Sequence, residues 1–254
     1  RTEQDGVLFV RLRSPSIAEN MVDESSEQLL VIYLPPGYEQ SDDSYPVVYF
    51  LHGWTFSAMA VANYKPHLDA YFEEHPEDAF IMVGIDGTSE LGASHWRDSP
   101  ITGGWETYTT EEVPAYMEEN FKVSGDRRQT GISGFSLGGA AALRLALSHP
   151  EKYGAVFANS PGLPSRHNVD PYMRPEVTPA RRSAVAAAAY ETLLTDGELD
   201  ETALEEVPVT EEVEELIVER QSAEMIERKA ASVGEELREK TAIRIEYGTR
   251  ESNW

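Results

Sequence analysis

The chain contains no cysteine, which excludes disulfides, thiol nucleophiles and thiolate metal sites. Lysine is scarce: Lys65, Lys122, Lys152, Lys229 and Lys240 are the only ones among 21 basic residues, which face 45 acidic ones. The resulting net charge of −24 argues against nucleic acid or an anionic membrane as partner, because phosphate binding needs clustered Lys and Arg. An acidic, lysine-poor surface points to a saline habitat and to a melting temperature that rises with added salt, since salt screens self-repulsion. No apolar run reaches transmembrane length, and no charged-then-apolar leader is visible. The chain begins at Arg1 rather than Met, so an upstream piece, such as a signal peptide, is expected to have been removed. A secreted or periplasmic location is preferred to a cytoplasmic one, with the compartment left open.

What is present is enough for one large α/β domain: 254 residues support a sizeable core. Strands are expected at Gly6–Leu12, Gln28–Leu34, Pro46–Leu51, Phe80–Ile85, Gln129–Ser133, Tyr153–Asn159 and Thr241–Tyr247. The run Val47-Val48-Tyr49-Phe50-Leu51 is apolar throughout, as in a strand covered on both faces. Helices are expected at Ala60–Glu74, at Thr109–Phe121 with Thr110 as its cap, and at Ala140–Ser148. Thr88 to Gly104 reads as a long loop, of the kind that often lines a site. Alternating strands and helices imply a mainly parallel sheet with helices on both faces, and sites beyond the carboxyl ends of its strands. Residues 163–240 hold no convincing strand and are rich in Ala and Glu. They read as an acidic helical cap inserted into a core made of residues 1–162 and 241–254, their glutamates forming a solvated face.

The core is organised around Gly134-Phe135-Ser136-Leu137-Gly138. A strand precedes this G-x-S-x-G pattern and a helix follows, the context of a nucleophile elbow. The alternative is an ordinary glycine-rich turn. Serine chemistry needs a nucleophile, a base, an acid that orients the base, and donors for an oxyanion. Ser136 fills the first role. Oxyanion donors are expected from the Leu137 amide and, in the loop after the Val47–Leu51 run, from the Trp54 amide. In that loop His52-Gly53 could equally be a plain turn. Chain order places the acid after the last strand, at Glu251, which could instead be a surface glutamate paired with Arg250. The base should follow the acid, yet His52, His67, His75, His95, His149 and His167 all precede Glu251. A histidine beyond Trp254 is the first expectation, and His167 or His95 the alternatives. His52, Trp96 and Trp105 are candidate substrate contacts, with Trp54 and Tyr108 completing an aromatic wall; the competing reading makes these rings core.

Tyr45-Pro46-Val47-Val48-Tyr49-Phe50-Leu51-His52-Gly53, Ser99-Pro100-Ile101-Thr102-Gly103-Gly104-Trp105-Glu106-Thr107-Tyr108, and Gly131 to Gly139 with His149-Pro150-Glu151 carry a family resemblance, joined by Tyr247-Gly248-Thr249. Over about residues 5–162 and 241–254 the chain resembles the esterase family of α/β-hydrolases that includes feruloyl esterases, acetyl-xylan-type esterases, S-formylglutathione hydrolases and mycolyltransferases. The resemblance implies the α/β-hydrolase fold, Ser136 as nucleophile, Trp54 and Leu137 as oxyanion donors, and an acid at Glu251, where these relatives usually carry aspartate. It also implies a further strand with its helix and a histidine after residue 254. The implied activity is a serine carboxylic-ester hydrolase acting on feruloyl, acetyl or similar small or carbohydrate-linked esters, with no cofactor and no metal. The alternatives are a catalytically silent hydrolase-fold module that binds through its cap, or an acyltransferase. Oligomeric state stays open.

Overall fold

The computed structural model describes residues 1–4, 6–90, 92–99, 101–162 and 241–247. The cap expected over 163–240 and the candidate acid Glu251 lie outside these residues. In chain order the strands are β1 (Thr2–Gln4), β2 (Val7–Arg13), β3 (Glu27–Tyr33), β4 (Val47–Leu51), β5 (Ile81–Ile85), β6 (Asp98–Ser99), β7 (Gly103–Gly104), β8 (Thr130–Phe135), β9 (Ala155–Asn159) and β10 (Ala242–Glu246). The helices are α1 (Pro15–Ala18), α2 (Ala60–Glu74), α3 (Trp105–Thr107), α4 (Val113–Asn120) and α5 (Leu137–Ser148).

The main sheet runs β1-β2-β3-β5-β4-β8-β9-β10. β5, β4, β8, β9 and β10 pair in parallel, while β1, β2 and β3 add an antiparallel flank. The apolar run of β4 serves both faces of this sheet. Val47, Tyr49 and Leu51 join Ile81, Val83, Ile85 and Ile132 in a core under α4 and α5. Phe50 joins Met82, Val31 and Tyr33 in a second core under Val61 and Phe72 of α2. Alternation along β4 therefore feeds two apolar layers rather than one apolar and one wet face.

Several expectations shift at their edges. The short pair β6 and β7, joined by two-residue antiparallel pairing, lies inside the stretch read as loop. The following helix begins at Trp105, not at Thr109: α3 passes through a widened π turn, Tyr108–Glu112, into α4. Thr110 is consequently no cap; it is buried, and its hydroxyl donates to the Glu106 carbonyl one turn back. A hydroxyl of this kind serves a helix interior by back-bonding, a use the residue type does not distinguish from capping.

Candidate active site

Strand order reverses beside β4. β5, next in sequence, pairs on one side of it and β8 on the other, so the loops leaving β4 and β8 diverge at the sheet's carboxyl edge, where open α/β sheets form their sites. Leu51 is in register with both Ile85 and Gly134, and Phe135 with Asn159. The ends of β5, β4, β8 and β9 therefore lie level at the sheet edge that carries Ser136.

Ser136 has φ 53° and ψ −115°, a conformation that costs a non-glycine residue about 1–3 kcal/mol. Its surroundings impose it. A Cβ at Gly134 would collide with the backbone of Gly138, and one at Gly138 with the carbonyls of Leu51 and His52. The Ser136 amide donates to the Asn159 carbonyl at 2.9 Å, and the Ser136 carbonyl accepts from Ala140 and Gly162, both at 3.0 Å. The bond from Ala140 is the first of α5, so the amides of Leu137, Gly138 and Gly139 precede the intrahelical ladder at the positive end of the helix dipole. Ser136 is half-buried, within reach of solvent.

The loop after β4 lies against this turn: a Cβ on Gly53 would meet the Phe135 ring and lie 3.4 Å from the Phe135 carbonyl oxygen. Trp54 follows, half-buried, then Thr55 at φ 64°. His52, 3% exposed, braces the loop. One of its ring nitrogens, Nδ1, lies 2.9 Å from the Gly53 carbonyl, while Nε2 accepts from the Gly87 amide at 2.9 Å. Asp86 sits beside it, 3.5 Å from Nε2, and also accepts from the Thr88 amide at 2.9 Å. Burial works to raise the Asp86 pKa, but the His52 ring and the Thr88 hydroxyl and amide outweigh it and bring it down to about 2.

The candidate substrate contacts separate at this point. Trp96 and Trp105 are 0% exposed. Trp96 packs edge-on to His52, with ring centroids 5.1 Å apart, and Trp105 donates its indole N–H to the Thr102 carbonyl. Tyr108 is fully buried as well. These rings present no surface to a ligand, and His52 has both nitrogens turned to backbone. Their burial favours the packing reading: large apolar rings repay removal from water. Of the expected wall, Trp54 alone keeps surface. The apolar surface here comes from residues that sequence reasoning missed, Phe56 at 58% and Met59 at 44% exposure, with Phe56 edge-on to Phe135. Exposure is not written in the sequence, so no signal there set Phe56 and Met59 apart from core residues.

A buried ionic group was missed too. Arg144, 6% exposed within the otherwise apolar α5, pairs with Glu106, whose other oxygen lies 2.7 Å from His149 Nε2. Burial would raise the Glu106 pKa; His149 and Arg144 overcome that and lower it to about 2. His149 thereby braces the Arg144–Glu106 pair. His67 and His75 sit on and just after α2. Among the described residues one trio of metal-capable side chains occurs, His75, Glu77 and Asp78, at the amino end of β5 and so at the sheet edge opposite Ser136. No helix among the described residues is long and apolar enough to cross a membrane.

The model of the family described as "Putative esterase" matches residues 26–238. The chain belongs to that family. The match takes in most of 163–240, which the sequence reading had set outside the resemblance, and stops before β10. An uncharacterized protein of Corynebacterium glutamicum is 29% identical over 135 residues, 53% of this chain and 29% of that protein. The S-formylglutathione hydrolase of Paracoccus denitrificans is 28% identical over 151 residues, 51% of this chain and 50% of the relative. The chain thus spans half or less of the length of these relatives. Among solved structures, a ferulic acid esterase superposes with a TM-score of 0.59 at 20% identity, over 95% of this chain and 90% of that one. That likeness establishes the α/β-hydrolase fold.

Proposed function

We propose that this esterase-family chain is a serine carboxylic-ester hydrolase with Ser136 as nucleophile. One observation carries the reading: a half-buried serine held at φ 53° between β8 and α5, a strained position that glycine contacts maintain. In the reaction the Ser136 hydroxyl oxygen attacks the ester carbonyl carbon while a histidine removes its proton. The amides of Leu137 and Trp54 donate to the oxyanion of the tetrahedral intermediate. Collapse expels the alcohol, which takes the proton from the histidine, and water then releases the acid from the acyl-enzyme.

The orienting acid is assigned to Glu251. The end of β10 supports this placement: the Glu246 carbonyl accepts from the Ser160 amide at 2.6 Å, and Gly162, two residues on, donates to Ser136. The chain therefore leaves β10 at the edge that holds Ser136. The exposed Phe56 ring and Met59 thioether suit a small ester with an apolar or aromatic acyl group, in keeping with a ferulic acid esterase among the similar structures.

Ser136→Ala should lower turnover of p-nitrophenyl acetate by more than about 10⁴-fold and abolish labelling by a fluorophosphonate probe. Retained turnover in the variant would refute the nucleophile. A wild-type chain that resists the probe would favour the silent binding module.

A further inference from the structure

His95 and Trp96 are consecutive non-glycine residues in the left-handed region, at φ 54° and 50°. Such residues persist only where the surroundings over-determine them, and they gather at functional sites. Here a single side chain grips both. The Nη2 atom of Arg144 donates to the Trp96 carbonyl and, at 3.5 Å, to the His95 carbonyl, while Nη1 pairs with Glu106. Glu106 is held in turn by His149. A planar guanidinium can serve a carboxylate and two carbonyls at once; a lysine ammonium is a single point of charge.

The gripped residues bear on the oxyanion loop. The Trp96 ring packs on His52, which lies between Gly53 and Gly87. The His95 ring meets Trp54 edge-on at 6.4 Å. Arg144 also stands on α5, the helix that opens with Leu137. One residue thus joins the element carrying one oxyanion donor to the loop that backs the other.

We propose that Arg144 is a positioning residue for ester hydrolysis. Acting through the His95 and Trp96 carbonyls, it fixes the Trp54 amide relative to the Leu137 amide. This rests on the reading of Ser136, Leu137 and Trp54 given above. Such a role shows in the transition state more than in substrate binding, because the oxyanion forms only there.

The test is Arg144→Lys in the full chain, with Arg144→Met beside it. In the lysine variant kcat for p-nitrophenyl acetate should fall about 10- to 100-fold, the scale of a misplaced oxyanion donor, with KM within about threefold. Inhibition by a trifluoromethyl ketone, which mimics the tetrahedral adduct, should weaken in step with kcat/KM. Amide exchange of residues 94–97 should quicken at least about tenfold while β8 keeps its protection. A methionine variant that fails to fold leaves the lysine variant to decide. A folded lysine variant with wild-type kcat and unchanged exchange at 94–97 would overturn the proposal, as would a loss confined to melting temperature. Ser136→Ala in the same assay separates the two readings. If it keeps the wild-type rate, the serine reading fails and takes the catalytic half of this inference with it. If it is inactive while Arg144→Lys is not impaired, only the inference about Arg144 fails.

Discussion

At Ser136 the chain turns on backbone alone, whereas the loop from Asp86 to Ser99 adds to its own backbone bonds, such as the Ser94 amide on the Gly87 carbonyl at 2.9 Å, side chains that arrive from elsewhere in the molecule. The serine turn is closed by amides and carbonyls of Asn159, Ala140 and Gly162 and by the absence of Cβ atoms at Gly134 and Gly138. The longer loop is pinned by His52 on the Gly87 amide, by Arg144 on the carbonyls of residues 95 and 96, and by Glu24, which accepts from the Glu90 amide at 2.9 Å. Burial raises the Glu24 pKa, with the Ser89 and Glu90 contacts opposing it. A turn held by backbone tolerates almost no change in its small residues. A loop held by side chains should lose its fastenings one at a time.

The largest effect should therefore come from the turn. Gly138→Ala drives a methyl into two backbone carbonyls that belong to β4 and its exit, and neither can give way without moving a central strand. We expect a loss above about 3 kcal/mol, at or beyond the upper end of ordinary overpacking, seen as loss of the cooperative urea transition or of soluble protein. A soluble Gly138→Ala with a normal midpoint would show that the turn has slack, and the contrast between the two loops would collapse. On the other side, Trp96→Ala removes a fully buried ring and should cost about 3–5 kcal/mol while leaving the far-UV spectrum of the sheet intact. Its damage should be confined to the 86–99 loop in amide exchange.

The two modes of support also differ in how far the sequence displays them. The turn is contiguous: glycines, serine and a helix-forming run follow one another, so strand, elbow and α5 are legible before any coordinates. The parallel strands are legible for a similar reason, since the apolar run of β4 has one simple home. The clamp is not contiguous. Glu106, Arg144 and His149 come from α3, α5 and the residue after α5, and nothing in their spacing joins the first to the others. A lone arginine in an apolar helix marks a buried charge that must have a partner, though not which one. The tryptophans stayed ambiguous for a related cause. An aromatic ring near a suspected site is equally suited to core and to wall, and only its accessible surface separates the two.

Acid titration sharpens the contrast with a smaller effect. Asp86 and Glu106 have folded-state pKa values near 2, below their ordinary 3.8 and 4.5. In that window the native state binds fewer protons than the unfolded chain. The stability from each carboxylate is therefore complete above about pH 5 and is lost as pH falls toward 2. Each should contribute on the order of 2–3 kcal/mol at neutral pH, Glu106 the more. Urea midpoints should fall across that range in the wild type, and by less in Asp86→Asn and Glu106→Gln, which have already lost one titrating group. Parallel curves for all three proteins would mean that neither carboxylate is tied to the fold as drawn. Because both carboxylates brace the side-chain-held loop rather than the turn, exchange at residues 86–99 should open before exchange in β8 as pH drops.

The smallest structural effect, and the most telling for chemistry, belongs to Phe56. Its ring is 58% exposed and edge-on to Phe135, so Phe56→Ala removes little buried area and should shift stability by no more than about 0.5 kcal/mol. Between the serine turn and the long loop, this residue is held tightly by neither. If it serves only to cover Phe135, replacing it should do nothing to catalysis. If the rim receives the acyl group, KM for an aromatic ester should rise a few-fold while KM for an acetyl ester stays put, since losing one apolar contact is worth about 1 kcal/mol in a pocket of this kind. Equal changes for both esters would mean that Phe56 acts through the oxyanion loop, three residues from Gly53, and not through the substrate. That outcome would move specificity away from this rim altogether, because the buried rings of Trp96, Trp105 and Tyr108 have no surface with which to supply it.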